Sequence, residues 1–385
     1  MVEGRRVALI HDFLLDLRGA ERVFLALCDL YPDAPIYTPV YDEDGTEGRF
    51  SRRDVRTSFL QKLRPSARTF RALLPFYPSA VESFDLSGYD LIVSSSSAWS
   101  HAAIHDESAV HVSYCHNPFR YVWNDRDVTL AQRDPVSRAA LRMLFRRWRQ
   151  WDWIASQRVN RYVTNSRTTQ ARIRAYFGRE STVVHPPVET TRFRPGPVGN
   201  HHLVLSELMP HKRIDLAVQA FNELQMPLLV VGDGPDMRRL HRLAGPTVQF
   251  TGRVSDEEAA HHLQTCRALV VTGAEEFGIA AVEAQAAGRP AIAPSRGGAL
   301  ETVRDGVTGR LWDGGVADLV RAVAEFDDGA VDPEACVANA RRFDTSVFNS
   351  AFPREVQRAL NEYEHGGIEH RRAPRARFAW SPGRR

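Results

Sequence analysis

Short apolar runs alternate with longer amphipathic stretches along most of the chain. Residues 21–31 place their apolar side chains on one helical face, and this spacing predicts a helix. The apolar runs of the first half are predicted to be buried strands: Val7–Ile10, Asp90–Ser94, Val110–Tyr114 and Arg161–Thr164. Strands that alternate with helices in this way are typical of βα units on a parallel sheet.

The alternation stops at a proline-rich segment, residues 186–198, which is predicted to be a linker because it shows no periodicity. A second set of candidate strands follows: Leu203–Leu205, Leu228–Val231, Val248–Phe250, Ala268–Val271 and Ala291–Ala293. Helical stretches are predicted between them, at about 213–224, 236–243, 255–265 and 278–288. The chain is therefore predicted to be an α/β protein with two Rossmann-like domains, residues 1–185 and 199–345, facing each other across a cleft.

Two segments follow the second domain. A helical pattern over residues 346–364 is predicted to return to the first domain. Residues 365–385 are rich in arginine and contain two prolines, so this end of the chain is predicted to be a disordered basic tail.

Composition narrows the choice of partners and compartment. The chain has 385 residues, and its net charge of +3 is too small to indicate a nucleic-acid partner. Its four cysteines lie far apart, which argues against zinc and disulfides and fits a cytoplasmic protein. No run approaches the roughly 20 apolar residues of a membrane span. Two stretches rich in arginine and aromatic residues, 49–71 and 138–158, leave open either a structural role or peripheral contact with anionic lipid at the inner membrane face.

The clearest candidate site is a loop that leads from a strand into a helix. Glu275 lies in the loop with Phe277 and Gly278, and Glu283 follows inside the helix. A helix N-terminus offers free N–H groups to a diphosphate. Carboxylates beside it can accept hydrogen bonds from sugar and ribose hydroxyls. The alternative is an acidic helix start that only complements the helix dipole.

Several segments resemble motifs of family 4 glycosyltransferases, retaining enzymes of the GT-B fold. They are Ile10-His11-Asp12-Phe13 with Arg18-Gly19-Ala20-Glu21, the Cys115-His116-Asn117-Pro118-Phe119-Arg120 stretch, the Met209-Pro210-His211-Lys212 segment, the Glu275-x7-Glu283 pair and the Gly297-Gly298 turn. The second of these is similar to a stretch in polysaccharide mannosyltransferases. Because the motifs occur in the same order on both sides of the linker, the resemblance covers nearly the whole chain.

The resemblance implies a role for each matching position. Lys212 would neutralise the donor diphosphate, and Gly19 would let the backbone approach a phosphate where a Cβ would intrude. His116 would form hydrogen bonds near the transferred sugar. Glu275 would bind that sugar and Glu283 the ribose. Arg253 and Val254 would meet the base, with Phe277 and Gly278 completing the donor site.

Two positions depart from the family pattern. Relatives often carry Gly-Arg before the lysine motif, where this chain has Ser206-Glu207. A carboxylate beside a diphosphate is unfavourable, so Glu207 is expected to point away or to pair with Arg213 or Lys212. Gly19-Ala20 replaces a glycine pair, which is acceptable if only Gly19 needs unusual dihedral angles.

Other motifs favour structural roles. Asp42-Glu43-Asp44 has the form of a metal-binding DxD, but it is expected to be a solvated loop, so no metal is predicted. Gly232-Asp233-Gly234-Pro235 is expected to be a plain turn. The pairs His201-His202 and His261-His262 are expected to lie on the surface because no ligand partners occur at metal-site spacing.

These features predict a retaining, metal-independent hexosyltransferase without a cofactor. Its expected donor is a nucleotide-sugar, GDP-mannose, and its expected acceptor is a polysaccharide or lipid-linked glycan. Two alternatives stay open: a nucleotide-sugar epimerase with the same double-Rossmann layout, and an NAD-dependent oxidoreductase, although the chain lacks a full G-x-G-x-x-G.

Overall fold

Two parallel β-sheets organise the computed structural model, which describes residues 4–67, 69–131 and 133–366. The first sheet has seven strands in the order β3-β2-β1-β4-β5-β6-β7. Its strands are β1 (Val7–His11), β2 (Ile36–Thr38), β3 (Val55–Thr57), β4 (Leu91–Ser96), β5 (Val110–Cys115), β6 (Arg161–Thr164) and β7 (Ser181–Val183). The helices connecting them are α1 (Gly19–Leu30), α2 (Tyr77–Glu82), α3 (Arg126–Ala131), α4 (Pro135–Ser156) and α5 (Arg167–Phe177).

The second sheet has six strands in the order β10-β9-β8-β11-β12-β13. They are β8 (His202–Leu205), β9 (Leu228–Val231), β10 (Val248–Gly252), β11 (Leu269–Val270), β12 (Ala291–Pro294) and β13 (Gly309–Trp312). Eight helices accompany or follow them: α6 (Ile214–Leu224), α7 (Met237–Leu243), α8 (Asp256–Thr265), α9 (Ile279–Ala286), α10 (Ala299–Thr302), α11 (Val316–Glu325), α12 (Pro333–Ala340) and α13 (Thr345–Gly366). Short 3-10 turns also occur, among them Phe59–Leu63, Phe70–Phe76 and Pro210–Lys212.

The central strands are buried along their whole length, as expected for a parallel sheet covered by helices on both faces. All six residues of β4 and all six of β5 are buried. The last three residues of β4 are serines, and their hydroxyls are satisfied by buried or partly buried histidines: Ser94 by His111, Ser95 by His116 and Ser96 by His101. Because each hydroxyl has a ring-nitrogen partner, this polar end of the strand can lie inside the domain.

The last helix, α13, packs on the first sheet. Phe348 and Phe352 stack at a centroid distance of 5.6 Å, and both rings contact the edge of Tyr114 in β5. Arg161 of β6 reaches Glu362 at 2.6 Å. The chain therefore crosses back from the second domain to the first. The predicted basic tail lies outside the described residues from position 367 onward.

The structure of α4 shows which face of residues 138–158 packs in the core. Phe145 and Trp148 are buried, and Trp148 packs edge-on against the fully buried Trp99. Asp152, the single acid of α4, is also buried and accepts a hydrogen bond from Trp123 Nε1 at 2.6 Å. The aromatic face of α4 is therefore structural, and only its opposite face is available for a partner.

Candidate nucleotide-sugar site

The strand order reverses at the same place in both sheets, between β1 and β4 and between β8 and β11. Ligands of open α/β sheets bind at the carboxyl ends of strands beside such a reversal. A cleft of about 1050 Å³ lies there, between the loops that follow β1 and β8. It is lined from the first domain by residues 15–19 and Arg22, and from the second by residues 205–207, 231–235, 253–254, Ile279, Ala280 and Glu283.

Four of the predicted donor-binding residues line this cleft: Gly19, Arg253, Val254 and Glu283. Arg253 crosses the cleft to Glu47 at 3.2 Å, although both side chains are exposed. Lys212, Glu275, Phe277 and Gly278 lie outside this lining, as does the catalytic candidate His116. The Phe277 ring is buried in the core of the second domain between His185 and Phe343, so this side chain is not available to a ligand in the cleft.

The loop after β1 is held by two buried carboxylates. Asp12 accepts hydrogen bonds from the backbone N–H groups of residues 97–100 at 2.5–2.9 Å, which ties the loop to the end of β4. Glu21 accepts from the Arg18 N–H at 3.0 Å at the start of α1.

Neither Gly19 nor Ala20 has a left-handed backbone angle, so neither position needs the unusual dihedral angles that a second glycine would serve. A Cβ on Gly19 would lie 3.4 Å from Ile279 Cδ1 in the second domain, which is a tolerable contact. The close approach of the Gly19 backbone to a donor phosphate stays a prediction.

Lys212 is presented by a strained turn at the start of α6. Arg213 has a φ of 53°, in the left-handed region that side chains rarely adopt. Thr272 Oγ1 donates to the Lys212 carbonyl at 2.8 Å, and a Cβ on Gly273 would come within 2.9 Å of Lys212 Cα. The backbone of Lys212 is thus fixed against the loop that carries Glu275.

Glu275 and Lys212, both predicted as catalytic, form an ion pair. Lys212 Nζ donates to Glu275 Oε1 at 2.6 Å, and each side chain is about one quarter exposed. The Gly297-Gly298 turn supports the Glu275 loop, because Gly298 N–H donates to the Glu275 carbonyl at 2.9 Å. Gly278, with a φ of 90°, turns the chain into α9.

His116 lies at the end of β5, and its environment keeps the ring neutral. Burial and, to a smaller extent, the neighbouring His11 lower the pKa of His116 to about 4 against the attraction of Asp12 and Glu21. Its Nε2 pairs with Ser95 Oγ at 2.8 Å, which leaves Nδ1 as the ring nitrogen available to a ligand. A neutral imidazole can exchange hydrogen bonds with a sugar hydroxyl but carries no charge to bind a phosphate.

A cluster that the sequence did not predict joins His116 to Lys212. Glu276 of the second domain accepts from Arg120 at 3.0 Å and from Arg172 at 2.9 Å, both of the first domain. Arg172 also donates to Asn117 beside His116, and Arg120 meets His211 beside Lys212 at 2.9 Å. Arg120 belongs to the same sequence motif as His116, so it could have been predicted as a site residue. Arg172 lies in α5 outside any motif, so no sequence signal pointed to it.

Glu207 does not form either of the expected ion pairs. Lys212 pairs with Glu275, and Arg213 contacts Asp215 at 3.2 Å. The Glu207 carboxylate accepts from Arg18 of the first domain at 2.6 Å. The residue that departs from the family pattern before the lysine motif is therefore in contact with Arg18, the neighbour of the Gly19-Ala20 pair.

Glu283 lies in the part of the cleft near Arg22, Arg192 and Asp256. Burial raises the pKa of Glu283, and the nearby guanidinium groups of Arg192 and Arg22 only partly offset that rise. Asp256 binds Arg22 through both carboxylate oxygens, at 2.7 and 2.8 Å. A carboxylate without its own close cation is suited to accept hydrogen bonds from vicinal hydroxyls.

The weaker motifs were expected to have structural roles. Asp42 accepts from the Gly45 N–H at 3.2 Å, which closes its own loop. Asp42 and the Gly232-Asp233-Gly234-Pro235 segment, which was expected to be a plain turn, also line the cleft. His202 is buried against Asp328 at 3.4 Å, so the expectation of a surface histidine was wrong there because β8 begins at that residue. Among the residues that the structure describes, no group of three or more His, Cys, Asp or Glu side chains could hold a metal ion.

Two family models match adjacent parts of the chain. Residues 17–192 match Glycosyltransferase Family 4, and residues 197–343 match Glycosyl transferases group 1. Together with the two facing sheets and their cleft, these matches define the chain as a protein of the glycosyltransferase class. It carries a Glycosyltransferase Family 4 domain followed by a Glycosyl transferases group 1 domain and has the GT-B fold. Neither alternative, an epimerase or an oxidoreductase, is supported.

Curated relatives agree with this assignment over part of their length. The chain is 34% identical over 209 residues to a GDP-mannose-dependent alpha-(1-6)-phosphatidylinositol monomannoside mannosyltransferase of Mycolicibacterium smegmatis, covering 45% of this chain and 53% of the relative. It is 30% identical over 213 residues to a D-inositol 3-phosphate glycosyltransferase of Mycobacterium leprae, covering 47% and 50%. The aligned region thus spans about half the length of these relatives.

Solved structures show the same fold. A sucrose-phosphate synthase from Thermosynechococcus elongatus superposes with a TM-score of 0.72 at 17% identity, covering 93% of this chain and all of the other. Anabaena HepE in complex with UDP and glucose superposes with a TM-score of 0.67 at 17% identity, covering 92% and 99%.

Proposed function

We propose that the protein is a retaining glycosyltransferase that moves a hexose, mannose from GDP-mannose, to a polysaccharide or lipid-linked acceptor. The observation that carries the proposal is the Lys212–Glu275 pair, held at 2.6 Å by two loops of the second domain, the domain whose Glu283 lines the cleft. The GDP-mannose dependence of the mannosyltransferase of Mycolicibacterium smegmatis supports mannose and guanine in particular.

The chemistry would depend on placement. The bond from the anomeric carbon to the diphosphate oxygen breaks, and a bond from the acceptor oxygen to the same face of that carbon forms. The proton of the acceptor hydroxyl passes to the leaving diphosphate oxygen. Lys212 would stabilise the charge that develops on the diphosphate, Glu275 would hold the sugar hydroxyls, and neutral His116 would orient the sugar through Nδ1.

A thermal-shift and calorimetry series tests the donor. GDP and GDP-mannose should each stabilise the chain more than UDP and UDP-glucose. A ligand at 100 times its dissociation constant adds about 2.7 kcal/mol of stability. Because we propose metal independence, the stabilisation and the transfer of mannose should persist in excess EDTA. Absence of any shift with all four ligands would reject the proposal, and a response confined to UDP ligands would reject guanine.

We further propose that the acceptor is presented at an anionic membrane surface and that α4 contacts it. The face of α4 opposite the core exposes Val136, Met143 and Ile154. Arg142, Arg146 and Arg147 are exposed on the same helix, where the single acid is the buried Asp152. Apolar side chains with flanking arginines are the composition by which a helix binds a lipid interface. Among the described residues, no helix combines the length and apolarity needed to span a bilayer.

Vesicle co-sedimentation tests this contact. Binding should rise with the fraction of anionic lipid and fall with salt. The double variant Met143→Glu/Ile154→Glu should lose binding. Val347→Glu places a single such charge on an exposed apolar position of α13 and should bind like wild type. Equal recovery of wild type and the double variant would reject the role of α4.

A further inference from the structure

Arg18 contacts both domains at the edge of the cleft. Its guanidinium donates through Nη1 to Glu207 and through Nη2 to Asp16, both at 2.6 Å. Asp16 belongs to the loop after β1, and Glu207 to the loop after β8. All three residues line the cleft. Arg18 thus lies where the switch points of the two sheets face each other.

The charges around Arg18 are unbalanced. Burial raises the pKa of Asp16, and the carboxylates of Glu21 and Glu207 raise it further against the attraction of Arg18. Three acids therefore share this corner with one guanidinium. An anion entering here meets Glu207 as a like charge, and Lys212 already has Glu275 as its partner. A diphosphate needs a further cation that can leave its carboxylate.

We propose that Arg18 is that cation: it leaves Glu207 and binds the diphosphate of the nucleotide-sugar, so the first domain supplies a phosphate ligand across the cleft. This inference rests on the proposed function. Arg18 suits the role because its side chain is about half exposed and can move. Asp16 is mostly buried and can keep its contact with Nη2 of the guanidinium when Nη1 leaves Glu207. A diphosphate carries more charge than one carboxylate, and its oxygens accept two N–H bonds from a guanidinium.

Glu207 then acts as a positioning residue. Before the donor binds, it holds the guanidinium over the cleft and draws the two domains together. When the donor binds, it loses its partner to the diphosphate. This explains why a carboxylate can stand immediately before the lysine segment, at a place where it would otherwise repel the ligand.

Calorimetry with nucleoside di- and monophosphates tests Arg18. The probes are GDP and GMP, or UDP and UMP if the wild type prefers uracil. Arg18→Gln should weaken diphosphate binding by about 10-fold or more, as expected for the loss of a charge-assisted hydrogen bond, and should change monophosphate binding much less. Arg239→Gln is the matched control, because Arg239 also contacts two acids, Asp236 and Asp215, but does not line the cleft.

A double variant separates a direct contact from simple repulsion. If Arg18 only shields Glu207, then Arg18→Gln/Glu207→Gln should regain wild-type diphosphate affinity. If Arg18 binds the phosphates, the double variant should stay weak, whereas Glu207→Gln alone should bind as tightly as wild type or several-fold more tightly. Diphosphate affinity of Arg18→Gln within twofold of wild type, or full recovery in the double variant, would overturn the inference. Failure of the wild type to bind any nucleotide would instead overturn the proposed function.

Discussion

Burial and neighbouring charge shift the pKa values of His116, Glu276 and Glu283 in different ways. His116 is held neutral because its ring is desolvated beside His11. Burial opposes ionisation of Glu276, but the attraction of Arg120 and Arg172 outweighs it and lowers the pKa of that carboxyl. For Glu283 the balance is reversed, and its pKa is raised. The two glutamates belong to the same segment at the start of α9 but are suited to different tasks. Glu276 is suited to be a fixed anion, and Glu283 to accept hydrogen bonds from a ligand.

Glu275 and Glu283 should respond differently to substitution. Glu283→Gln should weaken binding of nucleoside diphosphate and donor by about 1.5–3 kcal/mol, the worth of a hydrogen bond to a charged group. Glu275→Gln should leave diphosphate affinity intact or improve it, since Lys212 loses its carboxylate partner, while kcat falls. Calorimetry paired with steady-state kinetics measures both effects.

The opposite pattern would reverse the two assignments. If neither variant changed binding or rate, the acids would serve only the helix start. Wild-type donor affinity should also weaken on acidification before an ordinary glutamate would protonate, because the raised pKa of Glu283 brings its protonation to higher pH. Glu283→Gln should lack that component.

His116 should make the folded chain sensitive to acid. Its pKa of about 4 lies below the ordinary histidine value of about 6.5, so between these values the unfolded chain binds a proton that the folded chain excludes. Its contribution to stability is therefore complete above pH 6.5 and is lost as the pH falls toward 4. Urea unfolding of wild type at pH 7 and pH 5 should show a larger loss of stability than His116→Gln. His365→Gln, which removes an exposed histidine of α13, should keep the wild-type loss.

At the scale of elements, the site depends on loops packed against one another without side chains between them. A Cβ on Gly298 would overlap the Phe277 backbone, and a Cβ on Gly297 would overlap the carbonyl of Glu275. Gly297 also has a φ of 68°. The Gly-Gly turn after β12 is thus the support that places Glu275 against Lys212 and Glu276 against Arg120. The buried Phe277 ring anchors the same loop from the other side.

Gly298→Ala should therefore displace the Glu275 loop. The φ of Gly298 is −67°, which alanine adopts freely, so the cost comes from the overlap alone. Overpacking of this kind typically costs about 1–3 kcal/mol. Chemical denaturation should show that loss, and mannose transfer should fall with it. Gly315→Ala is the control, because a Cβ there meets nothing within 4 Å. Equal stability of the two variants would contradict the support role.

The sequence pattern predicted the strands at the centre of each sheet. The strands β1, β4, β5, β8, β9 and β12 were found because each contains a buried apolar stretch. Four strands at the sheet edges or beside them were missed: β2, β3, β7 and β13 have three or four residues each, and β3 and β7 are not buried. Strands this short carry too few positions for a period to show, even where, as in β2, all the residues are buried.

The candidate site was predictable in its parts but not in its pairings. Motif spacing pointed to Lys212, Glu275 and Glu283, and the structure places all three on loops or helix starts at the carboxyl ends of the second sheet. The contacts Arg18–Glu207 and Arg172–Glu276 join residues of different domains. Such contacts depend on how the domains face each other, which no local pattern encodes.

For the whole molecule, ion pairs at the cleft join the two domains. Arg18–Glu207, Arg22–Asp256 and Arg253–Glu47 are largely exposed, whereas the Glu276 cluster is more enclosed. Exposed pairs contribute about 0–1 kcal/mol each and weaken with salt. A carboxylate bound by two partly buried guanidinium groups is screened less. The Glu276 cluster, beside His116 and Lys212, should therefore dominate the closed arrangement.

Glu276→Gln should shift the chain toward a more open arrangement, because Arg120 and Arg172 would lose the carboxylate that holds them against the second domain. Small-angle scattering should then give a larger radius of gyration than wild type at moderate salt, and the difference should shrink when GDP bridges the domains. Glu47→Gln removes an exposed carboxylate that also crosses the cleft, at 3.2 Å from Arg253, and should leave the radius unchanged.

The same cluster should also depend on pH. Attraction by Arg120 and Arg172 lowers the pKa of Glu276 despite its burial. The contribution of the cluster to the closed arrangement is therefore present above the ordinary glutamate pKa and is lost only as the pH falls below it. Wild type should therefore stay closed at pH 5, where the variant is already open. An identical radius for wild type and Glu276→Gln at every salt concentration would show that other contacts between the domains, rather than this cluster, set the distance between them.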